Sequence, residues 1–93
     1  MEIQTVEGRQ AVSGYLTELW EKILGRKVDP EADFFELGGS SLGGIKMIME
    51  VQSTYNIDLD IETFFEDPSV ANLTAIVLRN IEQGASRPGG RAA

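Results

Sequence analysis

The hydrophobic positions of this 93-residue chain recur at helical spacing, and no segment shows the alternation typical of a half-buried strand. The first apolar stripe repeats every three to four residues and predicts an amphipathic helix from about Gly8 to Gly25. Its buried face is expected to comprise Val12, Tyr15, Leu16, Leu19, Trp20 and Ile23. The pattern therefore favours a helical fold from its first element onward.

Three further helical segments follow the same spacing. They are predicted at about residues 41–55, as a short turn at residues 61–66, and as a last helix that begins after Ser69. Ser40 or Ser41 can cap the second helix, and Ser69 can cap the last. The apolar faces are expected at Ile45, Ile48 and Met49, with Gln52 beside them, and at Val70, Leu73, Ile76, Val77 and Ile81.

The connection between the first two helices is long but carries apolar anchors. Val28, Phe34, Phe35 and Leu37 lie within residues 26–40, so we expect this loop to fold over the helices. The predicted fold is all-α, a four-helix bundle with a long first loop and a short third helix. One domain is predicted over residues 8–83, preceded by a lead at residues 1–7 and followed by a disordered tail at residues 84–93.

Charge is distributed unevenly along the chain. Residues 29–67 hold ten acidic side chains and one basic one, Lys46, whereas the formal charge of the whole chain is only −7. An acidic field of this kind repels nucleic acid and anionic membranes and attracts basic protein surfaces. No segment is apolar enough to span a bilayer, and the first residues lack the features of a secretion signal. We therefore expect a cytoplasmic monomer that binds neither nucleic acid nor membrane.

Composition also limits the chemistry available to the chain. It contains no Cys and no His, the side chains most often used for thiol chemistry and for proton transfer near neutral pH. A Lys46 base would lie about 140° around the helix from Ser41, which is poor geometry for activating a nucleophile. No pair of carboxylates lies in an apolar context that would raise one pKa. We expect no catalytic residues.

The sequence matches two ligand-binding motifs, a calcium loop and a phosphate-binding loop, only in part. Asp58, Asp60 and Glu62 have the spacing that begins a calcium-binding EF-hand loop, but Thr63 stands where that loop needs Gly and Ser69 where it needs Glu. The glycine-rich run 38–44 lacks the Lys that ends a P-loop, and no strand precedes it. We expect no metal site.

What remains is a hydroxyl presented at the start of a helix. Ser41 follows a glycine hinge, and the positive end of a helix favours a negatively charged group attached there. This pattern fits an acceptor that another enzyme modifies. From the residues alone, a simple helix cap is the commoner role for a serine at this position.

At this point two motifs carry a resemblance to a known family. The run Phe34-Phe35-Glu36-Leu37-Gly38-Gly39-Ser40-Ser41-Leu42 resembles the phosphopantetheine attachment motif of carrier proteins, particularly the peptidyl carrier (thiolation) domains of nonribosomal peptide synthetases. The run Asp29-Pro30-Glu31-Ala32-Asp33 resembles the segment that usually precedes this motif. Phe64-Phe65-Glu66-Asp67-Pro68-Ser69-Val70-Ala71-Asn72-Leu73 resembles the family segment that opens the last helix.

The resemblance implies a non-catalytic carrier. Ser41 would be modified by a phosphopantetheinyl transferase that uses coenzyme A and magnesium, and the 4′-phosphopantetheine arm would hold an aminoacyl, peptidyl or acyl group as a thioester. An adenylating or acyl-loading enzyme would load the arm, and condensing or tailoring enzymes of a bacterial secondary-metabolite pathway would take over the cargo. Partner contacts are expected at Gly39, Ser40, Leu42 and Met49, although core packing is an equal alternative for Met49.

This sequence departs from the family pattern beside the attachment site. Ser40 stands where the family usually has His or Asp, and Gly43 and Gly44 stand where bulkier residues are usual. Two alternatives stay open: an acyl carrier protein of a polyketide or fatty-acid system, and a helical interaction module in which Ser41 only caps a helix. The chain could be a free-standing carrier or a domain excised from a larger synthetase.

Overall fold

The structure is a computed structural model, and it describes residues 6–82. The chain forms four helices: α1 at Val6–Leu24, α2 at Ser41–Tyr55, α3 at Ile61–Glu66 and α4 at Val70–Glu82. Within residues 6–82 no strand occurs, so the predicted all-α fold with a short third helix is confirmed. Helix α1 begins two residues before the predicted start, whereas α2 and α3 have the predicted bounds. The predicted tail at residues 84–93 lies outside the described residues.

One hydrophobic core joins the helices and the two longer loops, at residues 25–40 and 56–60. Helix α1 packs mainly against α4, while α2 contacts α1 and α3 contacts α4. The buried apolar side chains are Val12, Leu16, Leu19, Trp20, Val28, Phe34, Met47, Ile48, Val51, Ile57, Leu59, Phe64, Val70, Leu73, Ile76, Val77 and Leu78. Trp20 is at its aromatic centre, with its ring centroid 4.9 Å from that of Phe34 and 6.0 Å from that of Phe64, both edge-to-face.

The predicted faces of α1 and α2 need correction at single positions. Ile23 is exposed in the last turn of α1, where no other element within residues 6–82 covers it. In α2 the buried residues are Gly44, Met47, Ile48 and Val51, whereas Met49 points to solvent. Positions 44, 47, 48 and 51 have the spacing of one helical face. This face is buried in place of the face that was predicted to begin at Ile45.

The long first loop is fixed onto the bundle, as predicted. The Phe34 amide donates to the Pro68 carbonyl at 2.7 Å, and the Ala71 amide donates to the Pro30 carbonyl at 3.0 Å. The Val28 amide donates to a carboxylate oxygen of Glu21 at 3.1 Å, which ties the loop to α1 as well. These bonds hold the loop between the end of α1 and the junction of α3 with α4, so that it delivers the chain to the start of α2.

Among the helices within residues 6–82, none combines the length and the apolar character that crossing a bilayer requires.

Candidate functional site

A folded turn leads into α2. The Asp33 carboxylate accepts the Phe35 amide at 2.7 Å and the Glu36 amide at 3.2 Å, and the Leu37 amide donates to the Asp33 carbonyl. The chain then reverses at Gly38, whose φ of +107° is a conformation that side chains rarely allow. The turn therefore depends on Asp33, which accepts its amides, and on Gly38, which adopts the positive φ at its end.

Two glycines let the aromatic core approach the start of α2. A Cβ atom at Gly39 would overlap the Phe34 ring, and the Gly39 amide donates to the Phe34 carbonyl at 3.0 Å. A Cβ atom at Gly44 would touch Phe65 at 3.4 Å and Phe34 at 3.5 Å. Sequence reasoning did not identify Phe34 and Phe65 as the support of this site. One signal in the sequence could have identified this support: glycines lie just before and within the first turn of α2, and two Phe-Phe pairs occur elsewhere in the chain.

Ser40 is the residue that caps α2. Its backbone is extended (φ −106°, ψ 165°), and its hydroxyl oxygen accepts the Gly43 amide at 3.0 Å. Its carbonyl accepts the Gly44 amide at 2.8 Å, which is the first hydrogen bond of the helix. Ser40 thus satisfies one of the amides that a helix start leaves open, that of Gly43, and its carbonyl begins the regular backbone hydrogen bonding of α2.

Ser41 is the first residue of α2, and its side chain is exposed. Within residues 6–82 its hydroxyl has no hydrogen-bond partner, and the amides of Ser41 and Leu42 have no acceptor. The alternative that Ser41 is only a cap is therefore wrong, because Ser40 fills that role. A free hydroxyl beside open amides at the positive end of a helix fits a covalently attached phosphate ester.

The four predicted contact residues differ in exposure. Leu42 is 62% exposed and Met49 is 58% exposed, so both present apolar surface on the outer side of α2. Ser40 is exposed beside them, whereas Gly39 is half-buried over Phe34. Met49 therefore does not belong to the core, so the core-packing alternative is wrong for this residue, whereas its contact with a partner stays a prediction.

The acidic segment before α3 takes part in helix capping. Asp60 is the cap of α3: one carboxylate oxygen accepts the Glu62 amide at 3.0 Å, and the other accepts the Thr63 hydroxyl at 3.0 Å. In the part of the chain that the structure describes, no three acidic side chains are grouped as a metal ion would require. The carboxylate spacing reflects helix capping.

Comparison with known proteins agrees with this geometry. Residues 14–77 match the family described as "Phosphopantetheine attachment site". Tyrocidine synthase 3 of Brevibacillus parabrevis is 33% identical over 70 residues, which are 74% of this chain and only 1% of that protein. The chain thus spans a very small part of the curated relatives it matches.

Two solved structures have the same fold. BlmI, a type-II acyl-carrier-protein from Streptomyces verticillus involved in bleomycin biosynthesis, superposes with a TM-score of 0.73 at 32% identity, covering 78% of this chain and 89% of that one. A chain of the complex of the phosphopantetheine transferase Sfp with coenzyme A and a peptidyl carrier protein superposes with a TM-score of 0.67 at 28% identity. That match covers 71% of this chain and 87% of the other.

Proposed function

The chain belongs to the phosphopantetheine attachment site family, and from this premise we propose that Ser41 is the residue that carries the 4′-phosphopantetheine arm. The fold is that of a carrier domain of nonribosomal peptide synthetases. When attached, the arm supplies a terminal thiol that holds an aminoacyl, peptidyl or acyl group as a thioester. One observation supports Ser41 over its neighbour: its hydroxyl is exposed and unpartnered, whereas the Ser40 hydroxyl accepts the Gly43 amide.

The attachment step makes modest demands on this chain. The Ser41 oxygen forms a bond to the phosphorus next to pantetheine in coenzyme A, the pyrophosphate P–O bond breaks, and adenosine 3′,5′-bisphosphate leaves. The hydroxyl proton goes to a base of the transferase. The carrier only has to present the oxygen, so its lack of His and Cys is no obstacle. We therefore propose that the chain is non-catalytic.

The partners follow from the same proposal. A phosphopantetheinyl transferase would install the arm in the cytoplasm, an adenylating enzyme would load it, and condensing enzymes would receive the cargo. Support comes from the similarity to a carrier in complex with the transferase Sfp and to a peptide synthetase. The contact residues are Gly39, Ser40, Leu42 and Met49, of which the last two offer the most apolar surface.

Mass measurement after modification tests the assignment. The protein is incubated with coenzyme A, magnesium and a broad-specificity phosphopantetheinyl transferase, and its intact mass is recorded. We expect a gain of one phosphopantetheinyl group in the wild type, none in Ser41→Ala, and a gain in Ser40→Ala. An unmodified wild type, or a gain that survives Ser41→Ala, would refute the proposal.

A second assay tests the contact surface. Met49→Gln and Leu42→Gln are expected to raise the KM of the transferase for the carrier, because each removes exposed apolar surface from α2. The melting temperature should stay unchanged, since neither side chain is in the core. Ile23→Gln is the matched control, because Ile23 is an exposed apolar residue of α1. Equal KM values for all of these variants would contradict this surface.

An acyl carrier role is the second candidate, and the fold similarity to BlmI favours keeping it. The modified protein is offered separately to an adenylating enzyme with amino acids and to an acyltransferase with malonyl-coenzyme A. Loading by the first enzyme supports the peptidyl type, and loading by the second alone supports the acyl type.

A further inference from the structure

The first turn of α2 is intrinsically weak. Gly43 and Gly44 both lie in it, and glycine is a much poorer helix former than Ala. No acidic side chain lies in this turn to favour the helix dipole. The Ser40 hydroxyl, which accepts the Gly43 amide at 3.0 Å, is the side-chain cap of this turn. In a helix made of strong helix formers, a single cap would matter less. Here the conformation around Ser41 depends strongly on the one hydrogen bond from the Gly43 amide to the Ser40 hydroxyl.

Ser40 and Gly43 are also matched sterically. A Cβ atom added to Gly43 would lie 3.2 Å from the Ser40 hydroxyl oxygen, closer than ordinary van der Waals contact. The bare glycine leaves room for that oxygen to sit over the amide it accepts. Two of the three residues that depart from the family pattern, Ser40 and Gly43, thus form one interaction.

We infer that Ser40 is a positioning residue for modification: its cap on Gly43 holds the first turn of α2 so that the Ser41 hydroxyl is directed to solvent. In this role, which is separate from the partner contact proposed for it above, Ser40 acts through the backbone: its hydroxyl oxygen accepts the Gly43 amide and its carbonyl starts the helix. This inference rests on the proposed function, in which Ser41 accepts the arm. It adds that the neighbouring serine controls the rate by capping, which Asn and Asp can also do and Ala cannot.

The test compares capping variants in two measurements. The first is kcat/KM for transfer from coenzyme A to the carrier, and the second is amide hydrogen exchange at Gly43 and Gly44 in the unmodified protein. In Ser40→Ala, we expect kcat/KM to fall about fivefold and exchange to rise about fivefold, the factor that loss of a typical cap implies. Ser40→Asn, which keeps an acceptor without adding charge, should restore both values to near wild type.

Each other outcome overturns the inference. If Ser40→Asn transfers as slowly as Ser40→Ala, the transferase reads the hydroxyl itself. If Ser40→Ala exchanges faster but is modified at the wild-type rate, the cap has no bearing on the reaction. If neither measurement changes in Ser40→Ala, the hydrogen bond does not hold the turn. Failure of the proposed function is distinct from these results, because there the wild type gains no mass at all.

Discussion

At the scale of single residues, two adjacent serines differ in role because their backbones differ. Residue 40 is extended, so its hydroxyl reaches forward to the Gly43 amide, whereas residue 41 is already helical and its side chain leaves the turn. The extended conformation follows from the chain reversal at Gly38 and from the packing of Gly39 on Phe34. Identical side chains thus acquire different chemistry from their place in the turn.

Thr74 is a residue at which the fold is less stable than it could be. It is almost fully buried in α4, and its hydroxyl has no hydrogen-bond partner. Thr74→Val keeps the shape and removes the unpaired hydroxyl, which costs about 1–3 kcal/mol when buried. We expect the melting temperature to rise by roughly 4–8 °C for each kcal/mol regained, measured by thermal unfolding.

Thr54→Val is the matched control for this change. The Thr54 hydroxyl is hydrogen-bonded to the Tyr15 hydroxyl at 2.8 Å, so its removal should bring no gain. A melting temperature that is equal or lower in Thr74→Val would contradict the assignment of a destabilising hydroxyl.

At the scale of elements, periodicity predicted the four helices but not every position in them. The bounds of α2 and α3 and the cap at Ser69, whose hydroxyl accepts the Asn72 amide at 3.1 Å, follow from local rules of helix starts. The exposure of Ile23 and Met49 does not, because it depends on which neighbouring helix covers each face. The sequence also left the choice between Ser40 and Ser41 as cap open, because that choice depends on the chain reversal at Gly38 and on the packing of Gly39 against Phe34.

Gly39 tests how the first loop supports α2. Gly39→Ala would drive a Cβ atom into the Phe34 ring and is expected to destabilise the domain by about 1–3 kcal/mol in denaturant unfolding. Gly14→Ala is the control, because Gly14 is exposed on α1 and a Cβ atom there would meet no atom within 4 Å. Since Ala is a better helix former than Gly, this variant should be up to about 1 kcal/mol more stable than the wild type. Equal stability of the two variants would refute the close contact.

The contact between α1 and α2 should depend on pH. The rings of Tyr15 and Tyr55 meet edge-to-face at 5.6 Å, and the pKa of Tyr55 is raised above its usual value of 10.0 by burial and then by the charge of Tyr15. The folded state therefore favours the neutral phenol. This stabilisation is present below pH 10 and is lost as the pH rises through the raised pKa of Tyr55.

We expect the free energy of unfolding to fall more steeply above pH 10 in the wild type than in Tyr55→Phe. Denaturant titrations at a series of alkaline pH values measure this difference. Parallel pH profiles for the two proteins would show that Tyr55 does not contribute.

At the scale of the whole molecule, part of the acidic middle of the chain lies on α3, the helix whose Phe65 packs at Gly44 of α2. Glu62 and Glu66 are exposed on this helix. Such a field speeds the approach of a basic partner, and salt screens it. The position of the acids was readable from the sequence, whereas their proximity to α2 required the fold.

We therefore expect kcat/KM for modification to fall as salt is raised, and to fall at low salt in the double variant Glu62→Gln, Glu66→Gln. Glu18→Gln with Glu82→Gln changes the charge equally on α1 and α4 and serves as the control. Equal rates for the two double variants would mean that net charge alone, and not the acidic surface of α3, determines association.

The central claim is that the Ser40 hydroxyl is held as a cap and the Ser41 hydroxyl is free to accept the arm. Fragmentation mass spectrometry of the modified wild-type protein tests it most directly, because cleavage between the two residues separates them. We predict that the added phosphopantetheinyl mass is found on Ser41 alone. Finding that mass on Ser40 would contradict it.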